Sequence, residues 1–411
     1  MEAAILRLYI TGPVILVLLA ALQEPVLTEA GAKEIDSFGA DRRLVAAYCW
    51  KPSPRDFEEM ARAGVDVALV ALSGGAPEAA AAPKVALFCD AEPAYDAIRG
   101  FFAKISPGSW AAIEGRPVVW LGPSVRAWSF AERFRADFRG RAPYLVAEWT
   151  ADKIPAERRY AWGAAREGPR DFDVVSVGPG FKGVRDRAKG AFYERSWCAA
   201  LRSRPAMVAI ETWNRFEDDS QICECDAYGR AYVEATARFA QKYRKGETIA
   251  GPRGLASRFK RVGFNLKYST DALGLAPVKN EDGPFELVEV TGLRLLVTKG
   301  KGDGWRRLYL DVDDAFAFWE RRSFVVEVEY LDAGEGLFSL EYDSADAAIA
   351  PPGRWHKSAG ERAFRGTNSL QVAEFELPDA FFGNRQKGGA DFRLSVRGRG
   401  LSVRRVIVRP K

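Results

Sequence analysis

One histidine, His356, serves the whole 411-residue chain. His-ligated zinc sites and Ser-His-Asp triads are poorly served by a single imidazole. Any acid–base work falls instead to carboxylates, Tyr, Lys or Cys. Cysteine is scarce and odd in number: Cys49, Cys89, Cys198, Cys223 and Cys225. Five thiols are not a disulfide framework, and at least one is free within a monomer. Cys223 and Cys225 form a C-x-C with no second pair and no nearby His, so no metal is expected. No G-x-G-x-x-G follows the first apolar run, which argues against a dinucleotide fold and leaves no cofactor implied. An excess of one charge is missing too: 60 basic and 55 acidic residues, spread along the chain, leave a net +5. That is no footprint for nucleic acid.

What is present suits a globular protein of two domains, with 47% apolar and 28% charged residues. Eleven tryptophans is a high count; buried rings account for some, and aromatic faces also suit the C–H surfaces of sugars. Near the start, Pro13 to Leu22 is apolar after one early arginine, Arg7. That stretch is short for a membrane span and right for a secretory h-region. Glu2 weakens the basic flank, so residues 1–30 read as a signal peptide or an uncleaved N-terminal anchor. A secreted or periplasmic monomer is expected, with no membrane contact beyond such an anchor.

From residue 41 onward, β-branched and aromatic runs alternate with Ala/Arg-rich helical stretches. Eight runs qualify as strands, at 43–50, 65–72, 84–90, 117–122, 143–149, 159–163, 172–178 and 206–213. Their hydrophobicity is continuous rather than alternating, as in parallel strands buried on both faces. Eight such strands interleaved with helices over residues 41–245 predict a compact (β/α)8 barrel; an open doubly wound sheet is the alternative. An Ala-rich patch at 76–82 reads as a loop or short helix. Gly and Pro punctuate 246–258, a linker. Runs of period two then fill 259–411 and predict an antiparallel β-sandwich.

Catalytic groups of such barrels sit at the C-terminal ends of the strands. There this sequence places Tyr48, Trp50, Asp90, Glu148, Trp149 and the stretch Glu211 to Asp218. Two carboxyl groups across a cleft are the apparatus of glycoside hydrolysis, one donating a proton and the other acting as base or nucleophile. Any single acid is more at home in a salt bridge with a rim arginine or on structural water, a reading that weakens for the whole ring of them.

The segment "TWNRFEDDSQI" resembles the "WNEWxEGTxI" segment of glycoside hydrolase family 99-like barrels, which include endo-α-mannosidases. "LVAAYCW", "GVDVALV", "YERSWCAALRSRPAMVAIETW" and "YGRAYVEAT" resemble the same family's first two strands and the surroundings of the last, so the likeness covers residues 41 to 243. It implies a retaining-type barrel acting on a polysaccharide or oligosaccharide. Trp213 and Asn214 match the pattern, Phe216 stands for its aromatic, and Arg215 stands where the first motif glutamate would be. Asp218 stands where the general acid/base glutamate would be, one methylene shorter, and Asp219-Ser220 replace Gly-Thr. Misplacement by about 1 Å can cost on the order of 100-fold in rate. A fixed positive charge beside Asp218 also favours its ionised form, which is wrong for a general acid.

Two readings follow. In the first, the mouth hydrolyses a glycan, with Asp218 as acid/base, Glu217 as its substitute and Glu148 and Asp90 as partners. Tyr48, Trp50, Trp149, Trp213, Asn214 and Arg215 then contact sugar. In the second, the barrel binds glycan without cleaving it. The sandwich is either a carbohydrate-binding module, with Trp305, Tyr342 or Trp355 as contacts, or a stabilising accessory domain. "DVDD", residues 311–314, reads as a solvated turn before a Ca²⁺ site, and the basic end "RGRGLSVRRVIVRP" as edge strands whose charges block pairing between molecules.

Overall fold

The computed structural model describes residues 24–77, 82–247, 255–267, 272–290, 292–300, 304–350, 352–398 and 400–411. The apolar stretch 13–22, most of the Ala-rich patch and residues 248–254 of the linker lie outside them. Among the described residues no helix is long and apolar enough to cross a membrane.

Eight parallel strands form the first module: β1 Leu44–Cys49, β2 Val67–Ala71, β3 Lys84–Cys89, β5 Arg116–Leu121, β6 Tyr144–Glu148, β7 Arg158–Tyr160, β8 Val174–Val177 and β9 Met207–Ile210. They run β7-β6-β5-β3-β2-β1-β9-β8 around a barrel. Each answers to one of the eight apolar runs. A two-residue strand, β4 Ala112–Ile113, folds back antiparallel onto β5 and is too short to leave a periodic signal. The continuous hydrophobicity has a two-sided cause. On β1, Leu44, Ala46 and Tyr48 fill the barrel interior beside Leu69, Phe88, Trp120 and Tyr160. Val45, Ala47 and Cys49 face the layer under the helices, against Phe57, Met60 and Tyr243. Helix Pro54–Arg62 shows how sequence sets that layer. Ser53 and Asp56 form a capping box, proline opens the first turn, and Phe57 and Met60 turn inward.

The packed module begins before residue 41. Leu27 is fully buried, its N–H donates to Asp137 O at 3.0 Å, and Phe38 closes the interior at the barrel floor.

The ring is not completed by a ladder. β7 has three residues, pairs with β6, and reaches β8 through Arg159 N–H donating to Asp173 Oδ2 at 3.0 Å.

The second module is a sandwich of two antiparallel sheets, as the alternating runs predict. One centres on β21 Ser402–Pro410, flanked by β16 Arg322–Asp332 on one side and by β10 Val262–Asn265 and β14 Leu293–Thr298 on the other. The other runs from β12 Leu275–Val278 through β15 Trp305–Val312, β20 Phe392–Arg397 and β17 Leu337–Tyr342 to β18 Lys357–Ala363. Leu308, Leu340 and Leu394 of the second meet Val326, Phe375 and Val406 of the first in one apolar core. The basic C-terminal end is not an edge. β21 lies inside its sheet, and Arg404 and Arg409 pair across the strands with Glu329 at 2.6 Å and Glu327 at 3.1 Å, an opposite-charge arrangement that favours this register.

The sandwich covers the seam between β7 and β8. Trp355 packs edge-on against Phe172 at 5.0 Å and Trp149 at 5.3 Å. Asp171 N–H donates to Gly383 O at 3.3 Å. Arg385 lies across the boundary, bonded to Asp343 at 2.6 Å and 3.8 Å from Asp171. Asp343 is fully buried, so that guanidinium is its compensating partner across the boundary. Arg385→Met is expected to destabilise the protein by about 3–5 kcal/mol, the usual cost of stranding one partner of a buried pair. A lower urea midpoint with an unchanged slope would show it; a midpoint equal to wild type would show that the pair does not hold the boundary.

Candidate functional site

The C-terminal ends of the barrel strands gather the mouth. β1 delivers Tyr48 and then Trp50, whose ring is 37% exposed. Asn214 sets the turn that presents it. Trp50 N–H donates to Asn214 Oδ1 at 2.9 Å, and Asn214 Nδ2 donates to Trp50 O at 2.8 Å. Asn214 therefore acts here as a brace on backbone, with both ends of its amide occupied. Lys51 lies 5.9 Å from the Trp50 ring centroid. Trp162, two residues past β7, meets Tyr48 edge-on at 5.3 Å and Phe88 at 5.6 Å. Trp162 is not among the predicted contacts, although it lies two residues past β7 as Trp50 lies one past β1: an aromatic just beyond a strand end.

Asp90, the first residue past β3, is half-buried and accepts hydrogen bonds from Ser73 Oγ and, at 3.3 Å, from Ser73 N. Burial, and then the charge of Asp90, push the Tyr48 hydroxyl up to about 12, against the opposing pull of Arg215. Tyr48, Asp90 and Arg215 thus sense one another at the mouth. Glu148 ends β6 and is 4% exposed. It accepts from Thr150 N–H at 2.8 Å and from the Thr150 hydroxyl. Burial raises its pKa despite these two bonds.

The loop after β9 differs most from expectation. Asp218 forms an ion pair with Arg215 at 2.9 Å. Glu217 is exposed. Trp213, expected against sugar, is fully buried in the layer between barrel and helices. Its N–H donates to Tyr48 O at 2.7 Å, and its carbonyl accepts from Ile222 and Cys223. Trp149, half-buried, packs on Phe172 and Trp355 at the seam. Arg187 fixes the loop from the side, with Nη2 donating to Asp219 O at 2.8 Å and Gln221 O at 3.0 Å. Tyr228 Oη donates to the Asp219 carboxylate at 3.1 Å.

Glu211, the first residue past β9, is the most buried acid of the mouth at 3% exposure. Gly163 N–H donates to both its oxygens, at 3.0 and 3.1 Å. Burial outweighs those bonds and pushes its pKa up to about 8. Sequence had marked Glu211 as an acid following a strand; only burial separates it from the exposed acids behind it. Among the described residues, no group of three or more His, Cys, Asp or Glu is placed to hold a metal ion. Asp313 and Asp314 of "DVDD" instead accept from Ala315 N–H at 2.8 Å and Asn384 Nδ2 at 3.2 Å. In the sandwich, Trp305 is 51% exposed, whereas Tyr342 is buried with its hydroxyl on Asp379 and Trp355 is turned onto the barrel.

The raised acid sets a pH dependence. Glu211 binds its proton more tightly folded than unfolded, where it titrates near 4.5. Its contribution is fully present below that value, declines as pH rises, and is lost through about 8. Stability is expected to fall by a few kcal/mol over that window. Glu211→Gln should flatten the profile, measured as urea midpoints from pH 5 to 9. A wild-type slope unchanged by the substitution would contradict a protonated Glu211.

No family model matches the chain, and no curated protein does. Solved structures do resemble it. One is the GH99 endo-α-mannosidase of Bacteroides thetaiotaomicron, at 17% identity over 47% of this chain and 79% of that one, with a TM-score of 0.35. Another is a family 29 carbohydrate-binding module from Piromyces equi, at 12% identity over 37% of this chain and 92% of that one, TM-score 0.23. A third is a CBM22-1 xylan-binding domain from Paenibacillus barcinonensis, at 9% identity over 36% of this chain and 92% of that one, TM-score 0.23.

Proposed function

We propose that this is a glycan-recognising protein whose barrel mouth holds a sugar chain without hydrolysing it, acting outside the cytoplasm. The observation that carries this reading is the ion pair between Arg215 and Asp218, at 2.9 Å. A general acid must carry a proton and give it to the leaving oxygen. Here Oδ2 of Asp218 faces the Arg215 guanidinium, which offers only donors, where a general acid would itself have to donate. The other acids do not replace it. Glu211 is enclosed and turned onto Gly163, Glu148 onto Thr150, and Glu217 stands in solvent.

Some parts of the mouth still suit recognition. Trp50 is 37% exposed, and Trp162 meets the buried Tyr48 edge-on. Asp90, Ser73 and Lys51 supply acceptors and donors at the rim. Apolar ring area with a few placed polar groups is the usual make-up of a small-molecule site. The apolar stretch before residue 23 supports export.

Binding tests this. The chain from residue 24 onward, presented with mannans, glucans, galactans and sulfated algal oligosaccharides in titration calorimetry, is expected to bind at least one class. Trp50→Ala should then weaken binding about 10-fold or more, since loss of a stacked aromatic in a site costs on the order of 1–3 kcal/mol. Asp218→Asn should leave affinity within about twofold. Binding insensitive to Trp50→Ala would remove the mouth from the proposal, and no binding to any class would overturn the glycan reading.

A further inference from the structure

The seam between barrel and sandwich contains cavities that the mouth does not use. One, of about 410 Å³, is lined by five arginines, Arg158, Arg159, Arg204, Arg354 and Arg385, against two aspartates, Asp171 and Asp173. A second, of about 370 Å³, continues past Trp149, Thr150 and Asp152. Arg159 and Trp355 line both. The first cavity lies by residues that lead into β8 and β9, and the second by residues that leave β6. Through these shared residues the two cavities adjoin along the seam, and together they are called the groove.

We infer that this groove is a second glycan site, built for an acidic oligosaccharide that carries carboxylate or sulfate groups. Three observations converge on that chemistry. The first is charge. Asp171 is engaged by Ser203 and, at 3.8 Å, by Arg385, and Asp173 accepts from Arg159 N–H at 3.0 Å. Arg158 donates through Nε to Tyr144 Oη at 3.0 Å; among the described residues neither it nor Arg204 has an acidic partner, so positive charge is left over. Guanidinium forks match the paired oxygens of carboxylate and sulfate. The second is Trp355. It is 93% buried, from 7% exposure, it lines both cavities, and its indole N–H has no acceptor. Trp355 is thus the aromatic side chain that the two cavities share. The third is the aromatic wall of Phe172, Trp355 and Trp149, which supplies ring area for sugar faces.

The ligand class rests on the glycan reading above, whereas the site is separate from the mouth, and the test distinguishes the two. The chain from residue 24 onward is titrated with oligogalacturonate and its carboxyl-reduced neutral counterpart, and with a sulfated oligosaccharide and its desulfated counterpart. One acidic member is expected to bind at least 10-fold more tightly than its neutral partner; which one does so identifies carboxylate or sulfate. Arg158→Gln combined with Arg204→Gln should remove at least 10-fold of that affinity while the urea midpoint stays at the wild-type value. Trp355→Phe, which keeps an aromatic ring but replaces the indole by a smaller phenyl, reports on the groove if the double variant is unstable and should weaken binding severalfold. Trp50→Ala reads the mouth independently: acidic binding lost there but kept in the arginine variant would overturn the seam site and leave the mouth standing. Equal affinity for acidic and neutral partners, or binding of inorganic sulfate alone, would also overturn it.

Discussion

The structure depends on how one seam is closed. A barrel of eight strands has no edges when every ladder is made. Here β7 is three residues long and lacks a ladder to β8. The backbone there is satisfied partly by a side chain, Asp173, and the apolar flank is covered by Trp355 from the other module. Arg385 and Asp343 then fix the sandwich in place by a buried ion pair. Fold, domain arrangement and the arginine-lined groove all follow from a strand too short to close the ring.

The mouth shows the same economy of motion at a smaller scale. Asn214 ties Trp50, Trp213 anchors the loop in the core, and Arg187 with Tyr228 holds the far side through Asp219. Such bracing keeps an aromatic platform in place. It also holds Arg215 against Asp218, so the rigidity that suits recognition removes a movable acid from the loop.

Much of this was legible in the residues, for physical reasons. Strands buried on both faces must be apolar throughout, so all eight barrel strands stood out. Sandwich strands buried on one face alternate, so most of them did as well. β10 and β12 did not, being four residues each and too short for a period, nor did β18, because "KSAGERA" lies largely in solvent and carries no apolar period. The mouth was legible as a place, since strand ends are fixed by strand position, and the ion pair between Arg215 and Asp218 was readable from their i, i+3 spacing. The assignments that shifted turn on orientation. Nothing local distinguishes Trp213, which is buried, from Trp50, which is open. Trp149 and Trp355 meet across two modules 206 residues apart in sequence, and no periodicity carries information at that range. The basic end looked like an edge because its partners, Glu327 and Glu329, lie far upstream.

The central claim is that the Arg215–Asp218 pair separates recognition from cleavage. The most direct measurement is product release, by mass spectrometry, from one oligosaccharide that the protein binds. It compares wild type with a variant carrying both Arg215→Glu and Asp218→Glu. An intact glycan after prolonged incubation with wild type, and new chain ends with the double variant, is the predicted result. New chain ends from wild type, lost in Asp218→Asn, would contradict the claim and make Asp218 a working acid despite its partner.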